Sequence, residues 1–282
     1  MPLSYENQGS GIVIIVDGEQ GRAIHATDRA VMYGDGVFRT MRMRGGAIAC
    51  WPLHYGKLDA DCRALRIPCP MRTILEQDIA RIARDVADCV VKIIISRGAG
   101  GRGYGVPKSL SPTRMVVASP VPDYPSHFWR EGIKLHVCEI RLCHQSRLAG
   151  IKHLNRLENV LARMEWQDPD TPEGLLLDAE DCVVEGTMSN LFMRRGNTLI
   201  TPDLSACGVA GLQRERILKY AARLDLKAEI ARFSLPVLLA ADEIFVCNSV
   251  IGVWPVRQID AQPIALGHTA EYMQRLLENE TD

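Results

Sequence analysis

Three prolines fall within six positions, Pro120, Pro122 and Pro125, in the stretch Ser119-Pro120-Val121-Pro122-Asp123-Tyr124-Pro125-Ser126. Each removes a backbone donor and disfavours helix, so this stretch reads as a linker rather than as part of an element. Residues 119–126 then divide the chain into an N-terminal domain, 1–118, and a C-terminal domain, 127–282. Both lengths are ordinary for a domain, and each part is long enough to bury a core without staples. No fixed-period repeat or low-complexity tract interrupts either half.

Hydrophobic patterning supplies the elements. Ile12–Val16 reads as a strand ending at Asp17-Gly18, a hairpin signal. Phe38–Arg44 alternates, and Gly45-Gly46 leads into Ala47–Trp51 as a second hairpin. Pro52 suits the first turn of a helix carrying Leu58, Cys62 and Leu65. A second helix carries Ile74, Leu75, Ile79, Ile82, Ala83 and Val86 on one face. Strands at 90–96 and 114–119 close this half.

The second half opens with a strand through Ile133, Leu135 and Val137. Asn155, with Glu158 three residues on, predicts a capping box, and Leu157, Val160, Leu161 and Met164 predict that helix's buried face. Residues 174–201 hold three or four short strands, one pair turned at Arg195-Gly196-Asn197. A further helix begins near Gly211 and carries Ile217, Tyr220, Ala221 and Leu224. Strands, helices and strands again in each half make the fold class α+β.

Composition narrows the function. Lys+Arg number 33 against 34 Asp+Glu, a net charge of −1, so no basic excess exists to displace counterions from nucleic acid. No apolar run reaches the roughly 18–20 residues of a membrane helix; the longest, Val90-Val91-Lys92-Ile93-Ile94-Ile95, reads as a buried strand. The first ten residues are polar and lack the basic and apolar regions of a secretory signal. Nine cysteines are scattered from Cys50 to Cys247 without a C-x-x-C or zinc-finger spacing. Reduced thiols in a cytoplasm are the expectation, with Cys62, Cys138 and Cys207 as small apolar fillers and no metal.

Five segments can carry chemistry. In Leu148-Ala149-Gly150-Ile151-Lys152-His153-Leu154-Asn155, a lysine among small and apolar neighbours loses hydration, which favours its free amine; a solvated, inert lysine is the alternative. In Val183-Val184-Glu185-Gly186-Thr187-Met188-Ser189-Asn190, a carboxylate ends a buried-looking run. It must find a cation or donors, which backbone alone can supply. Gly208-Val209-Ala210-Gly211-Leu212-Gln213-Arg214 enters a helix whose first N–H groups suit a phosphate, or is a plain turn. Ile95–Gly105 holds five glycines with Arg97 and Arg102, suited to a carboxylate, or is a flexible loop. A buried strand delivers Asn248 and Ser249 at its C-terminal end, where open sheets bind ligands, or simply turns there.

The order of these segments is the stronger signal. A lysine, a glutamate 33 positions later (185 − 152), a Gly-rich helix start and a strand ending in Asn-Ser together resemble the fold-type IV pyridoxal-phosphate enzymes. The resemblance runs from Asp28-Arg29-Ala30 and Tyr33-Gly34-Asp35-Gly36-Val37-Phe38 to Trp254-Pro255-Val256. It implies a smaller N-terminal α/β domain, a larger C-terminal domain with a barrel-like sheet, pyridoxal 5'-phosphate as cofactor, a small-molecule substrate and a homodimer. The Ser96–Tyr104 loop and Gly150-Ile151-Lys152-His153-Leu154-Asn155-Arg156-Leu157-Glu158 look most like the family's lyase branch. Those enzymes eliminate pyruvate from 4-amino-4-deoxychorismate and leave 4-aminobenzoate, a step of folate biosynthesis. Cys247-Asn248, where the transaminases tend to have small hydroxyl residues, points the same way.

Carried over by position, Lys152 is the catalytic residue and holds the cofactor as a Schiff base. Glu185 faces the pyridine nitrogen, and the N–H groups of Leu212 and Gln213 with the Ser249 hydroxyl take the phosphate. Lys57, in His54-Tyr55-Gly56-Lys57-Leu58, stands where the family has an arginine and supplies charge without the bidentate fork. Arg102 is the candidate for a substrate carboxylate, with Tyr104, Asn248 and Thr40 beside it; such loops often reach across a dimer interface. The rival expectations are a transaminase of D- or branched-chain amino acids and a non-enzymatic binding module.

Overall fold

Asp17 and Gly18 turn the chain with φ of 50° and 87° in a computed structural model that describes residues 11–106 and 108–279. Two consecutive positive φ values match the right-handed twist of the flanking strands, here β1 (Val13–Val16) and β2 (Glu19–Gln20). The decapeptide read above for a signal sequence lies outside the described residues. Two compact units divide the chain. One runs to Asp123 and takes in Lys152–Asn155; the other comprises Tyr124–Ile151 and the chain from Arg156.

In the first unit α1 (Arg29–Tyr33) starts at Asp28, whose carboxylate accepts from Ala30 N at 2.8 Å. It is followed by β3 (Gly36–Arg44), β4 (Ala47–Ile48), α2 (Trp51–Ala64), α3 (Arg72–Asp85), β5 (Cys89–Ser96) and β6 (Arg114–Ser119). The sheet order is β2-β1-β6-β5-β3-β4. Alternation along β3 buries Val37, Arg39, Met41 and Met43 and leaves Phe38, Thr40 and Arg42 on the other face. The strand expected over Ala47–Trp51 is shorter. Cys50, at φ 54°, turns the chain straight into α2, with Pro52 in its first turn. The α3 face of Leu75, Ile79 and Ile82 is buried, as its period requires.

In the second unit come α4 (His127–Arg130), β7 (Ile133–Leu142), α5 (Leu157–Arg163), β8 (Glu173–Asp178), β9 (Val183–Gly186), β10 (Asn190–Arg195) and β11 (Thr198–Pro202). Then follow α6 (Leu212–Tyr220), β12 (Lys227–Ala231), α7 (Leu235–Leu239), β13 (Glu243–Asn248), β14 (Gly252–Ile259), β15 (Gln262–Pro263) and α8 (Thr269–Asn279). The strands form one mixed, half-barrel sheet in the order β12-β11-β10-β13-β14-β7-β8-β9, with β15 on β14. Phe192 and Phe245 stack at 5.2 Å in a cluster with Ile217, Val253, Ala270 and Met273. On a second face Trp254, wholly buried, meets Phe128 and Tyr124 edge-on at 5.4 and 4.8 Å. Each such side chain removed from water contributes about 1.5–3 kcal/mol.

Helix α5 corrects two expectations. Its N-cap position is Arg156, with no side-chain cap bond. Asn155 instead donates to Gly34 O at 3.1 Å within the first unit, and Glu158 accepts from Cys143 N at 2.9 Å. Nor is its apolar stripe buried: Leu157 is 68% exposed, Val160 54%, Leu161 45% and Met164 71%. The helix rests on β7 and β8 through the opposite face, where Ala162 is buried. Among the described residues no helix is long and apolar enough to cross a membrane. Cys62, Cys138 and Cys207 are buried. Burial pushes the Cys138 and Cys207 thiols up to about 12, which leaves them as protonated, weakly reactive fillers.

Candidate active site

Lys152 belongs to the first unit because its main chain is paired there. Its carbonyl accepts from Phe38 N at 2.9 Å, and Leu154 N donates to Gly36 O at 3.0 Å. His153 bridges Val37. The lysine N–H donates to Asp61 Oδ2 at 3.2 Å, and the amine sits 4.6 Å from the Phe38 ring centroid, a cation–π contact. The same ring meets Lys92 Nζ at 4.6 Å, and burial lowers the Lys92 pKa. No role is read for Lys92 from sequence, although a lysine inside an apolar run is the signal that marks it.

Lys57 lies half-buried on α2, one turn before Asp61, and its carbonyl accepts from Arg39 at 3.5 Å. Thr40 sits on β3 opposite Lys92. Arg102 and Tyr104 occupy an exposed loop, Tyr104 being 85% exposed, with its ring 5.3 Å from that of Tyr33. Arg29 pins that loop from beneath, donating to the carbonyls of Gly103, Tyr104 and Gly105 at 3.2–3.3 Å. Arg29 in turn joins Arg97 on Asp35 at 2.8 Å each. Burial would raise the Asp35 carboxyl, but the bonds from Arg97 and Arg29 outweigh it and hold the pKa below the ordinary value.

The second unit brings three of the other segments together. Glu185, 4% exposed, is the penultimate residue of β9. Its Oε2 accepts from Val209 N at 2.9 Å and more weakly from Asn190 Nδ2 at 3.4 Å. Asn190 also bonds Val209 O at 2.8 Å and accepts from Gly211 N at 3.0 Å, so one amide ties the carboxylate strand to the loop before α6. A Cβ at position 211 would lie 2.2 Å from Asn190 Oδ1, so only glycine allows this approach. Gly211 is the N-cap of α6 and offers no side-chain cap bond to the first-turn N–H groups, which include those of Leu212 and Gln213.

Asn248, at the end of β13, accepts from Val250 N and Ile251 N at 2.8 and 2.9 Å and donates to Met188 O at 3.1 Å. It therefore closes a turn and braces the segment after Glu185; Ser249 lies within that turn. Gly150 extends the arrangement backwards, its N–H donating to Gly208 O at 2.9 Å and its carbonyl accepting from Ala210 N at 3.0 Å. Two residues later the chain reaches Lys152.

Further residues of this unit carry no sequence-read role. Asn190 was visible only as part of the Glu185 segment. Arg156 is half-buried; desolvation lowers its guanidinium pKa, and the charges of Glu185 and then Glu158 act to raise it. Glu173, wholly buried, accepts from Thr187 Oγ1, from Ser189 Oγ at 2.6 Å, from Gly174 N at 3.0 Å and from Met188 N at 3.2 Å. It thereby fixes the turn between β9 and β10. His144, Asp178 and Cys207 place possible ligand atoms within 4.8 Å of one another. Asp178, however, already accepts from Glu180 N, Cys182 N and Arg232 at 2.9–3.0 Å, so no ion is assigned there.

The chain is similar to known proteins over most of its length. The family Amino-transferase class IV matches residues 36–259. The chain is 39% identical over 238 residues to an aminodeoxychorismate lyase of Vibrio harveyi, covering 83% of this chain and 86% of that protein. It is 28% identical over 247 residues to an aminodeoxychorismate lyase of Bacillus subtilis, covering 86% and 83% respectively. The crystal structure of 4-amino-4-deoxychorismate lyase from Pseudomonas aeruginosa is similar with a TM-score of 0.90 and 41% identity, over 95% of this chain and 99% of that one.

Proposed function

This chain belongs to the class IV amino-transferase family, and within it we propose a lyase that uses pyridoxal 5'-phosphate to convert 4-amino-4-deoxychorismate into 4-aminobenzoate and pyruvate. The observation that carries the lyase reading is the similarity to aminodeoxychorismate lyases at 39% and 41% identity, and the Glu185 cradle, a buried carboxylate fixed by Val209 and Asn190 ahead of an uncapped helix start, supports the cofactor. That donor set fits the cofactor: an anion for a protonated pyridine nitrogen, helix N–H groups for a phosphate, and a separate amine for covalent attachment.

The bound cofactor supplies an electron sink for the carbon that bears the substrate's amine. Glu185 holds the proton at the pyridine nitrogen, and each unit by which it raises that nitrogen's pKa is worth about 1.4 kcal/mol. Leu212 and Gln213 present main-chain N–H groups to the phosphate, with Ser249 adding a hydroxyl and Lys57 a charge. Lys152 would hold the cofactor through its amine and, with that amine free, would take the proton from C4 of the substrate and return one as pyruvate leaves, serving as base and then acid. The product ring becomes aromatic, so the elimination runs forward without a keto acid to receive the amine. Arg102 would hold a substrate carboxylate, and Tyr104, Asn248 and Thr40 are further candidates for contact with the substrate.

The active form is proposed to be a homodimer. The α5 stripe of Leu157, Val160, Leu161 and Met164 is exposed at the spacing of one helix face, and a second copy of the chain would remove it from water. The scattered cysteines favour the cytoplasm as its compartment, and the product places it in folate biosynthesis.

The test supplies 4-amino-4-deoxychorismate without any keto acid. Pyruvate and 4-aminobenzoate in equal amounts are expected. Turnover that begins only when 2-oxoglutarate and an amino donor are added would make the protein a transaminase instead.

A further inference from the structure

Asp61, on α2 and 7% exposed, directs one oxygen at two donors. Its Oδ2 accepts from the Arg39 guanidinium and from the main-chain N–H of Lys152, the latter at 3.2 Å. Arg39 is 4% exposed and follows Phe38 on β3, and Phe38 N donates to the Lys152 carbonyl at 2.9 Å. One strand thus grips the lysine's main chain on both sides, directly through Phe38 and by way of Asp61 through Arg39.

Stability alone is a weak reason for such a pair. Desolvating two charges offsets most of their attraction, and apolar residues of similar size commonly replace buried pairs at no loss. Here the cost is higher still, because Arg39 Nε is buried with no hydrogen-bond partner among the described residues. What the pair does achieve is a fixed acceptor for one particular N–H group. A neutral acceptor held by packing would point less firmly than a carboxylate anchored to a guanidinium.

We propose that Arg39 and Asp61 form a positioning pair that sets the main chain of Lys152 and hence the reach of its amine; the inference rests on the reading of Lys152 given under Proposed function. A misplacement of about 1 Å at a catalytic group lowers rates up to a hundredfold, so losing the Asp61 acceptor lowers kcat and leaves substrate binding nearly untouched.

Three full-length variants test this: Asp61→Ala, Asp61→Asn, and the apolar double variant Arg39→Met with Asp61→Leu. Two readouts are taken, hydrogen exchange of the Lys152 amide in the cofactor-free protein and kcat against KM in the holoenzyme. Asp61→Ala should speed Lys152 exchange by roughly tenfold and lower kcat by roughly tenfold, with KM within about twofold of the parent. Asp61→Asn, whose amide oxygen can still accept, should recover at least half of both changes on a logarithmic scale. The double variant should melt near the parent yet lose kcat as Asp61→Ala does. Equal behaviour of the Ala and Asn variants, or parental kcat in the double variant, would overturn the inference. Because exchange needs no cofactor, the two readings fail separately. Unmoved exchange with the cofactor trapped on Lys152 defeats only the positioning pair, whereas faster exchange with the cofactor on another residue defeats only the cofactor assignment.

Discussion

Lys152 and Glu185 are held in opposite ways. In the first unit the lysine is gripped by its main chain, N–H to Asp61 at 3.2 Å and carbonyl from Phe38 N at 2.9 Å. In the second unit the glutamate is gripped by its carboxylate, through Val209 N at 2.9 Å and Asn190. The difference fits the role proposed for each. A residue that takes and returns a proton needs a fixed root and a side chain that changes partners. A residue that faces a static charge needs its reacting atoms fixed, and bonds to those atoms add no reorganisation during the reaction.

The contrast breaks most sharply at the lysine. In the proposed roles Lys152→Ala removes anchor, base and acid together, so pyruvate release should fall by about 10⁴-fold or more; near-parental turnover would remove Lys152 from the mechanism. Glu185→Gln keeps the shape of the cradle and loses its charge. The variant should still bind the cofactor while kcat falls roughly 10²- to 10³-fold, measured by absorbance of the bound cofactor and by product formation. Retained activity would show that the fixed carboxylate is not what sustains the electron sink.

Two further variants probe what surrounds the half-sites. Leu161→Asp places a charge in the α5 stripe and should weaken self-association by about tenfold or more, read by sedimentation across a concentration series. An unchanged sedimentation coefficient would mean that this face does not mediate self-association. Glu173→Gln tests the support behind Glu185 and has the smallest effect. Burial raises the Glu173 carboxyl above its ordinary value, although Ser189, Thr187, Gly174 and Met188 all act to lower it. A raised carboxyl contributes stability that is present below the unfolded pKa and lost as pH rises through the folded one. The variant removes that titration, so its Tm relative to the parent should improve by a few degrees as pH rises above the ordinary carboxylate range. A pH-independent difference would mean that Glu173 is ionised throughout.

Two helices show how much of this was legible in the chain. In α3 the period of Leu75, Ile79 and Ile82 predicts a buried face, and that face is buried. In α5 the period of Leu157, Val160, Leu161 and Met164 is equally regular, yet those residues are exposed. Periodicity reports that a face is apolar; it does not report what covers it. The Asn155–Glu158 capping box failed for a related reason, since both side chains found longer-range backbone partners.

The candidate residues that sequence alone singles out are those whose chemistry is unusual for their neighbourhood: a lysine among small residues, and a glutamate after two valines. Asn190, Asp61, Arg39 and Glu173 escaped notice because their meaning is a distance to something far along the chain. Asp61, for instance, is an ordinary acid on a helix until Lys152, 91 residues later, donates to it.

The most direct measurement is reductive trapping of the pyridoxal-phosphate-loaded protein with borohydride, followed by peptide mapping. The adduct should lie on Lys152, in the peptide containing Gly150-Ile151-Lys152-His153. An adduct on any other side chain would contradict the assignment on which the proposed function depends.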